Sequence, residues 1–581
     1  MEVEISKACK LNNINLLGPN CMGFANNTLK LNATFGKSVS LLGKLRFISQ
    51  SGALASSLFD WFETNQIGIN QFVTIGNKAV LNECDILDYW FNEELKTESE
   101  PIGMYLESIS DGKRFIELAS KISKNHPMFI LKPGKSEQSQ NAMRSHTGSI
   151  AGEDAVLEAA LASCGVIRCH DIEELFNLCG AFSKLTAPKS ASVAIVSNAG
   201  GPAVITSDAV SEFGLELASF DDKTHKILAD NLPRESNILD PIDVLGDALA
   251  DRYKIAIDTV LSQDSVSSLV VILTPQVMSE IEKTAQTIVE LSQKYKKPVV
   301  CSFIGGKVST DANQILTKNN VMAFNYPESA VKTLSLMFKW RKWSNLSVSN
   351  LAAASFAIPV DSVDQTINLI RQAKNDNRKT LTAAEITNLL TLWKFETPPA
   401  KNVSTIEEAT EFTNSVGWPV VLKTATQMLH KTDLGGIEKN IYSHEHLENA
   451  FKKIAVLGGV FIQKQITEGV EVIVGTKTDT VFGKVLLFGV GGTFVEFISD
   501  KNLLVLPASH EDIENLVKNS KAFKLLNGYR HSDVVNFGKL HELIRKVAVV
   551  AEQISEIQEF EVNPVISTAN NAWAIDAKVV L

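Results

Sequence analysis

The chain has no CxxC pair, and its seven cysteines (Cys9, Cys21, Cys84, Cys164, Cys169, Cys179 and Cys301) make an odd count. They read as reduced thiols of a cytoplasmic protein rather than a disulfide framework. No apolar run approaches the ~18 residues of a membrane helix. The opening Met1-Glu2-Val3-Glu4-Ile5-Ser6-Lys7 lacks the basic and apolar parts of a signal peptide. Surplus positive charge is missing too: 56 Lys+Arg against 66 Asp+Glu give a formal net charge of −10. That argues against nucleic acid or an anionic membrane as a general partner. Small anions stay open, because glycine loops and helix N-termini bind them locally. With 45% hydrophobic and 21% charged residues the composition is globular, not disordered. A chain of 581 residues is too long for one core and divides into roughly three to five domains.

What is present is organised around Arg144-Ser145-His146-Thr147-Gly148-Ser149-Ile150-Ala151-Gly152. One histidine stands among small and hydroxyl residues, ahead of a helix-like run from Glu153 to Cys164. An imidazole titrates near neutrality, at about 6.5, so its free nitrogen is a competent nucleophile toward a phosphoryl group. Small neighbours let a bulky tetrahedral anion approach. Alone, the stretch reads more simply as a loop histidine beside a helix N-terminus; the rest of the chain shifts the balance.

Upstream, a short amphipathic helix (Val3 to Lys10) leads to an expected strand, Ile14 to Leu17, and then Gly18-Pro19-Asn20-Cys21-Met22-Gly23. A strand at Leu45 to Ser49 runs into Gln50-Ser51-Gly52 and a helix from Ala53 to Phe62. Strand, small polar turn, helix is a local geometry that holds anions, because the first helical N–H groups are unpaired and the macrodipole is positive there. Further strands are expected at Phe72 to Ile75, Ile102 to Leu106 and Met128 to Leu131, with a helix from Arg114 to Ser123. Alternating strands and helices predict a parallel sheet covered on both faces. Gln50, Asn77, Glu107 and His146 each follow a strand, so they should share its carboxyl edge, where such sheets bind ligands.

The pattern then repeats. Val193 to Ser197, Asn198-Ala199-Gly200-Gly201 and a helix from Pro202 echo the first turn, with more strands at Leu269 to Leu273 and Val299 to Phe303. Either turn alone reads as a plain βα connection. Residues 341–378 are polar, with little strand signal, and read as a linker. Beyond them a helix (Ala383 to Trp393) precedes the strand Trp418 to Lys423, which delivers a lysine. A second isolated histidine follows in His430-Lys431-Thr432-Asp433-Leu434-Gly435-Gly436. Strands at Val460 to Gln465, Glu471 to Thr476 and Lys484 to Phe488 lead to Gly489-Val490-Gly491-Gly492. The end carries Glu559-Phe560-Glu561-Val562-Asn563-Pro564 and Trp573-Ala574-Ile575-Asp576. Oxygen ligands on adjacent strands suit Mg²⁺.

Five of these motifs (Ser145 to Gly152, Gly18 to Gly23, Ser49 to Leu54, His430 to Gly436 and Glu561 to Val565) stand in the order found in NDP-forming acyl-CoA synthetases. The chain resembles a fused ADP-forming acetyl-CoA synthetase, related to succinyl-CoA synthetase, over nearly its whole length. The resemblance implies an α/β fold: two flavodoxin-like parallel-sheet domains, 18–188 and 189–340, then the 341–378 linker and an ATP-grasp domain, 379–581. It implies an acid–thiol ligase that interconverts acyl-CoA, ADP and phosphate with a short carboxylic acid, CoA and ATP. His146 matches the phosphorylated histidine, Glu107 the carboxylate that holds it, and His430 a second phosphate carrier. Ser49, Gln50, Ser51, Gly52, Asn198, Ala199, Gly200 and Gly201 match the phosphate-binding helix starts. Lys423, Glu471, Gly491 and Gly492 match the nucleotide site, Asn563 and Asp576 the Mg²⁺ ligands, and Gly18, Pro19, Asn20 and Cys21 the thioester end of CoA.

Departures from the family's pattern are Val80 and Asp240, where aspartate and asparagine are common, and Arg530-His531, where arginine-glycine is common. Residues 1–17 match only the end of the family's Rossmann-like CoA-binding domain. That leaves a second expectation: a nucleotide-binding, self-phosphorylating protein that needs a separate CoA-binding subunit. A homodimer is the other expected association.

Overall fold

The computed structural model describes residues 2–36, 41–95, 99–135, 138, 154–346, 358–424, 436–492, 500–529 and 533–581. Close Cα packing divides the chain into two compact units, residues 1–154 with 161–347, and residues 155–160 with 348–581. Among the described residues no helix is long and apolar enough to cross a membrane.

The first unit holds two sheets. The strands of the first are β1 (Gly23–Asn26), β2 (Leu31–Thr34), β3 (Leu42–Ser49), β4 (Ile69–Thr74), β5 (Ile102–Tyr105), β6 (Met128–Leu131) and β7 (Val166–Cys169). Their order is β2-β1-β4-β3-β5-β6-β7. From β4 to β7 every pairing is parallel, as the alternation of strands and helices predicts. Counted from β3, those five strands run 2-1-3-4-5, the flavodoxin order, whose switch point lies between β3 and β5. Apolar runs such as Met128–Leu131, fully buried, fit strands covered on both faces. β1 and β2 add an antiparallel hairpin at one edge.

The second sheet is all-parallel: β8 (Ser192–Ser197), β9 (Glu216–Leu217), β10 (Ile242–Asp243), β11 (Ser268–Leu273), β12 (Val299–Phe303) and β13 (Met322–Phe324). Its order, β10-β8-β11-β12-β13, repeats the switch, here between β8 and β11, with β9 on the same edge of β8 as a short extra piece. Asp240 closes the gap between β9 and β10. Its carboxylate accepts from Ile195 N and Ala218 N, both at 2.8 Å.

The second unit carries two antiparallel sheets. One is β14-β17-β15-β16, from Ala400–Val403, Val460–Lys464, Val420–Thr424 and Ile437–Ile441. The other is β20-β19-β18-β21-β22, from Asn502–Val505, Gly483–Val490, Val470–Asp479, Glu559–Ser567 and Ala572–Ala574, with β23 (Ala577–Val580) also on β21.

Three sequence expectations change. Ile14 to Leu17 is not a strand: Leu16 O accepts from Leu81 N, and no strand pairs with it among the described residues. The helix of the second turn begins at Gly200, so Pro202 is its third residue rather than its first. Part of the expected linker is the helix Val360–Asn375, whose Ile370 and Ala373 are buried in the second unit's core.

Candidate active site

At the first switch point Gln50 leaves β3 and Glu107 leaves the neighbouring β5. The Gln50 amide oxygen accepts from Glu107 N at 2.9 Å and Ser108 N at 3.3 Å, while Gln50 N donates to Tyr105 O at 2.8 Å. Ser49 Oγ donates to Ser51 O at 2.7 Å and accepts from Ser51 N at 3.1 Å, which folds the turn tightly. Ser51 then caps the helix Gly52–Thr64 by accepting from Leu54 N. Glu107 is buried, and its Oε2 has no hydrogen-bond partner among the described residues. A buried carboxylate oxygen left bare costs about 1–3 kcal/mol, so it calls for an explanation. Burial, and then the Glu107 charge, push the Tyr105 hydroxyl above its ordinary pKa.

The second switch point repeats this at the level of single hydrogen bonds. Ser197 Oγ donates to Ala199 O at 2.9 Å and accepts from Ala199 N at 3.0 Å. The Asn198 amide oxygen accepts from Thr274 N at 2.8 Å, just beyond the neighbouring β11. Here the helix Gly200–Glu212 has no side-chain cap, so its first N–H groups are left for another acceptor. No hydrogen bond joins the two turns among the described residues.

The Gly18–Cys21 stretch lies beside the first turn. Gly18 O and Pro19 O accept from Ala79 N and Asn77 N in the loop after β4. That loop needs Gly76: its φ is +50°, and a Cβ there would stand 2.2 Å from Pro19 O. Met22 in turn lies against Gly52, 3.8 Å from where a Cβ would be.

The same edge holds residues that the sequence reading passed over. Lys78 donates to Glu83 at 2.8 Å and to Ser108 O at 2.5 Å, and Glu83 accepts from Ser110 N at 2.6 Å. Lys78 and Glu83 are almost wholly buried. Lys132, just after β6, is also buried; desolvation, then the nearby Arg168, hold its ammonium below the ordinary lysine value. Its signal was available: like Lys423, it is a lysine delivered by a fully apolar strand.

In the second unit Lys423 donates to Ile575 O at 3.2 Å, and Gln463 reaches the same carbonyl at 3.4 Å. Lys423 is on β15 and Ile575 follows β22, so this contact joins the two sheets. Gly491 N donates to Glu471 O at 2.9 Å, and Gly492 N to the Asn563 side-chain oxygen at 3.2 Å. Gly492 has φ +73°, and a Cβ on it would stand 1.9 Å from Glu471 Oε2. Asn563 N donates to Asp576 O at 3.0 Å. Lys423, Glu471, Gly491, Gly492, Asn563 and Asp576 thus lie in one connected group.

Family models match in three consecutive blocks: a succinyl-CoA ligase-like flavodoxin domain at 42–182, a ligase-CoA domain at 193–347 and an ATP-grasp domain at 372–581. The acetate–CoA ligase (ADP-forming) I of Archaeoglobus fulgidus is 31% identical over 100% of this chain and 84% of its own length. The 4-hydroxybutyrate–CoA ligase (ADP-forming) of Nitrosopumilus maritimus is 32% identical over 97% of this chain and 82% of its own. The chain belongs to the ADP-forming acyl-CoA synthetase family. A solved acetyl-coenzyme A synthetase 1 of Ca. Korarchaeum cryptofilum, in complex with phosphate and ADP, is 30% identical with a TM-score of 0.56, covering 59% of this chain and 74% of that one.

For a synthetase of this family the two carriers expected from the sequence, His146 and His430, lie outside the described residues. The partners that surround them in the sequence reading are described. Glu107, Ser49, Gln50, Ser51 and Gly52 come together on one sheet edge; Asn198, Ala199, Gly200 and Gly201 form the matching turn. Asn563 and Asp576 offer hard oxygen donors on neighbouring backbone, the donor set that Mg²⁺ takes.

Proposed function

We propose that this synthetase interconverts an acyl-CoA, ADP and phosphate with a short carboxylic acid, CoA and ATP, by way of an acyl phosphate and a phosphohistidine. The observation that carries the mechanism is Glu107: a buried carboxylate at a flavodoxin switch point, beside a helix N-terminus, with one oxygen bare. A carboxylate on one imidazole nitrogen fixes the tautomer, leaves the other nitrogen free to attack phosphorus, and stabilises the ring as it gains charge. His146 is the proposed acceptor. The turns at Ser51 and Gly200 present helix N-termini to the phosphoryl anion.

In the nucleotide-binding half, Lys423 neutralises nucleotide phosphates, and Gly491 and Gly492 let backbone approach them. Asn563 and Asp576 would hold Mg²⁺, which supplies charge neutralisation on the phosphates. His430 is the proposed relay between the two sites. Gly18–Cys21 is the proposed neighbour of the CoA thiol end. The second expectation, a non-catalytic nucleotide-binding protein, gains no support from the relatives, both of which are named as ligases.

The test is phosphorylation of the purified chain by γ-labelled ATP and Mg²⁺. Acid-labile label, lost in His146→Ala and discharged by ADP in the unaltered chain, is the expected result. Full labelling of His146→Ala would remove that residue from the mechanism, and its loss in His430→Ala would place the relay on the path from ATP.

A further inference from the structure

In the nucleotide-binding half, three side chains outside the site above converge from two helices. His510 opens the helix His510–Lys518, and Glu514 lies one turn on; His541 belongs to the helix Phe537–Gln553. His510 Nε2 stands 3.3 Å from Glu514 Oε1. One ligand atom from each of the three lies within 4.8 Å of the other two. The two imidazoles meet edge to face with centroids 5.8 Å apart. His541 Nε2 is buried and has no hydrogen-bond partner among the described residues. Lys518 donates to the other Glu514 oxygen at 3.4 Å, so Oε1 is the one turned to the histidines.

A histidine and a glutamate four residues apart on a helix are an ordinary surface pair, worth about 0.5 kcal/mol. That reading leaves two facts over: a third ligand-type group on another helix, and its buried bare nitrogen.

We infer that His510, Glu514 and His541 form a binding site for a divalent transition metal of the zinc class. Two imidazoles and one carboxylate are a common zinc ligand set, with a fourth position for water. Zinc bonds of about 2.0–2.2 Å need ligand atoms roughly 3.3 Å apart. The His510–Glu514 pair already has that spacing, and exposed His510 is free to turn toward His541. Mg²⁺ prefers oxygen alone and does not compete well here. Both helices also pack on the strand Gly483–Val490, and Ile513, Leu516, Leu540 and Ile544 share one buried cluster with its Leu486 and Phe488. The metal therefore ties together the outer sides of two helices already joined beneath, and stabilises this half of the chain.

The test uses the full chain, purified without a histidine tag, stripped with chelator and titrated calorimetrically with Zn²⁺ in excess Mg²⁺. One saturable equivalent and a raised thermal midpoint are expected. His510→Ala, at an exposed position, and Glu514→Gln should each weaken that equivalent by about tenfold or more. Co²⁺ in its place should show the absorption of a low-coordinate imidazole complex, lost in His510→Ala. No saturable equivalent in the unaltered chain would overturn the site. Equal affinity in His510→Ala would do the same, by assigning the bound zinc to other groups such as thiols.

Discussion

Glu107 differs from the other buried carboxyl groups by one oxygen: its Oε2 has no hydrogen-bond partner among the described residues. Two other buried carboxyl groups are satisfied: Glu83 holds Lys78 and Ser110 N, and Asp240 holds the amides of Ile195 and Ala218. Glu107 is not, so removing its charge should harm turnover and spare the fold. Glu107→Gln is expected to slow histidine phosphorylation on the order of 10²-fold while the thermal midpoint stays level or rises. A rapid-quench labelling course with a parallel melt checks both, and a large loss of stability would mark Glu107 as structural. Asp240 makes the opposite case. Burial pushes its carboxyl up to about 7, against the two backbone hydrogen bonds that favour the charged form. Between an unfolded value of about 4 and about 7, the folded chain keeps a proton there that the unfolded chain has lost. Stability from this group is complete below an unfolded pKa of about 4 and is lost as pH rises through about 7, by at most about 4 kcal/mol. Asp240→Asn should flatten that pH slope in a series of melts. With one acceptor oxygen instead of two, it should also lower stability at acid pH by about 1 kcal/mol.

Elements place these residues, and the two switch points show how. In each, a serine ends the strand and bonds both sides of its turn, and the next residue's amide bridges to the neighbouring strand end. The loop after β5 has a further hold, since Lys78 grips Ser108 O and Glu83 grips Ser110 N. Lys78→Met would leave Glu83 buried without its partner and should cost about 3–5 kcal/mol. Pairing it with Glu83→Gln should recover much of that stability. It should not recover kcat, because the Glu107 loop stays unheld. Melts and kcat on the two variants decide it, and recovery of both together would show the pair to be structural only. The sheets themselves were legible because each central strand is a short apolar run closed by a small polar turn. The hairpin Gly23–Asn26 with Leu31–Thr34 was not, being short, with only Ala25 fully buried and so no clear apolar face. The helix Val360–Asn375 was read as linker for a related reason. Its inward positions are Ser362, Thr366, Ile370 and Ala373, so half the stripe is hydroxyl and the apolar period is faint. Tertiary contact makes good what the pattern lacks: Trp393 Nε1 donates to Thr366 Oγ1 at 3.1 Å within the core. Lys78 and Glu83 escaped notice because nothing in a sequence distinguishes a buried ion pair from two surface charges.

For the whole molecule, the question is how far the nucleotide-binding half stands alone. Among the described residues, the two buried clusters within it draw on residues from Ile358 to Val579. Every residue assigned to nucleotide or Mg²⁺ within the described part, Lys423, Glu471, Gly491, Gly492, Asn563 and Asp576, belongs to it as well. The contact that joins its two sheets, Lys423 to Ile575 O, is internal. Apart from residues 155–160, which pack with this unit, its described core and site come from one stretch of chain, whereas the proposed phosphoryl transfer draws on the Glu107 edge of the other half. Residues 358–581 expressed alone are therefore expected to melt cooperatively and to bind Mg–ADP within about tenfold of the full chain, a difference of about 1.4 kcal/mol. Lys423→Met should abolish that binding in both forms. Label from γ-labelled ATP should reach His146 only when residues 1–347 are mixed with residues 358–581. Calorimetry and a labelling gel read these outcomes separately. Tight ADP binding without transfer on mixing would show that the covalent connection itself serves the relay, while failure of 358–581 to bind ADP would show that the nucleotide site is completed by the other half.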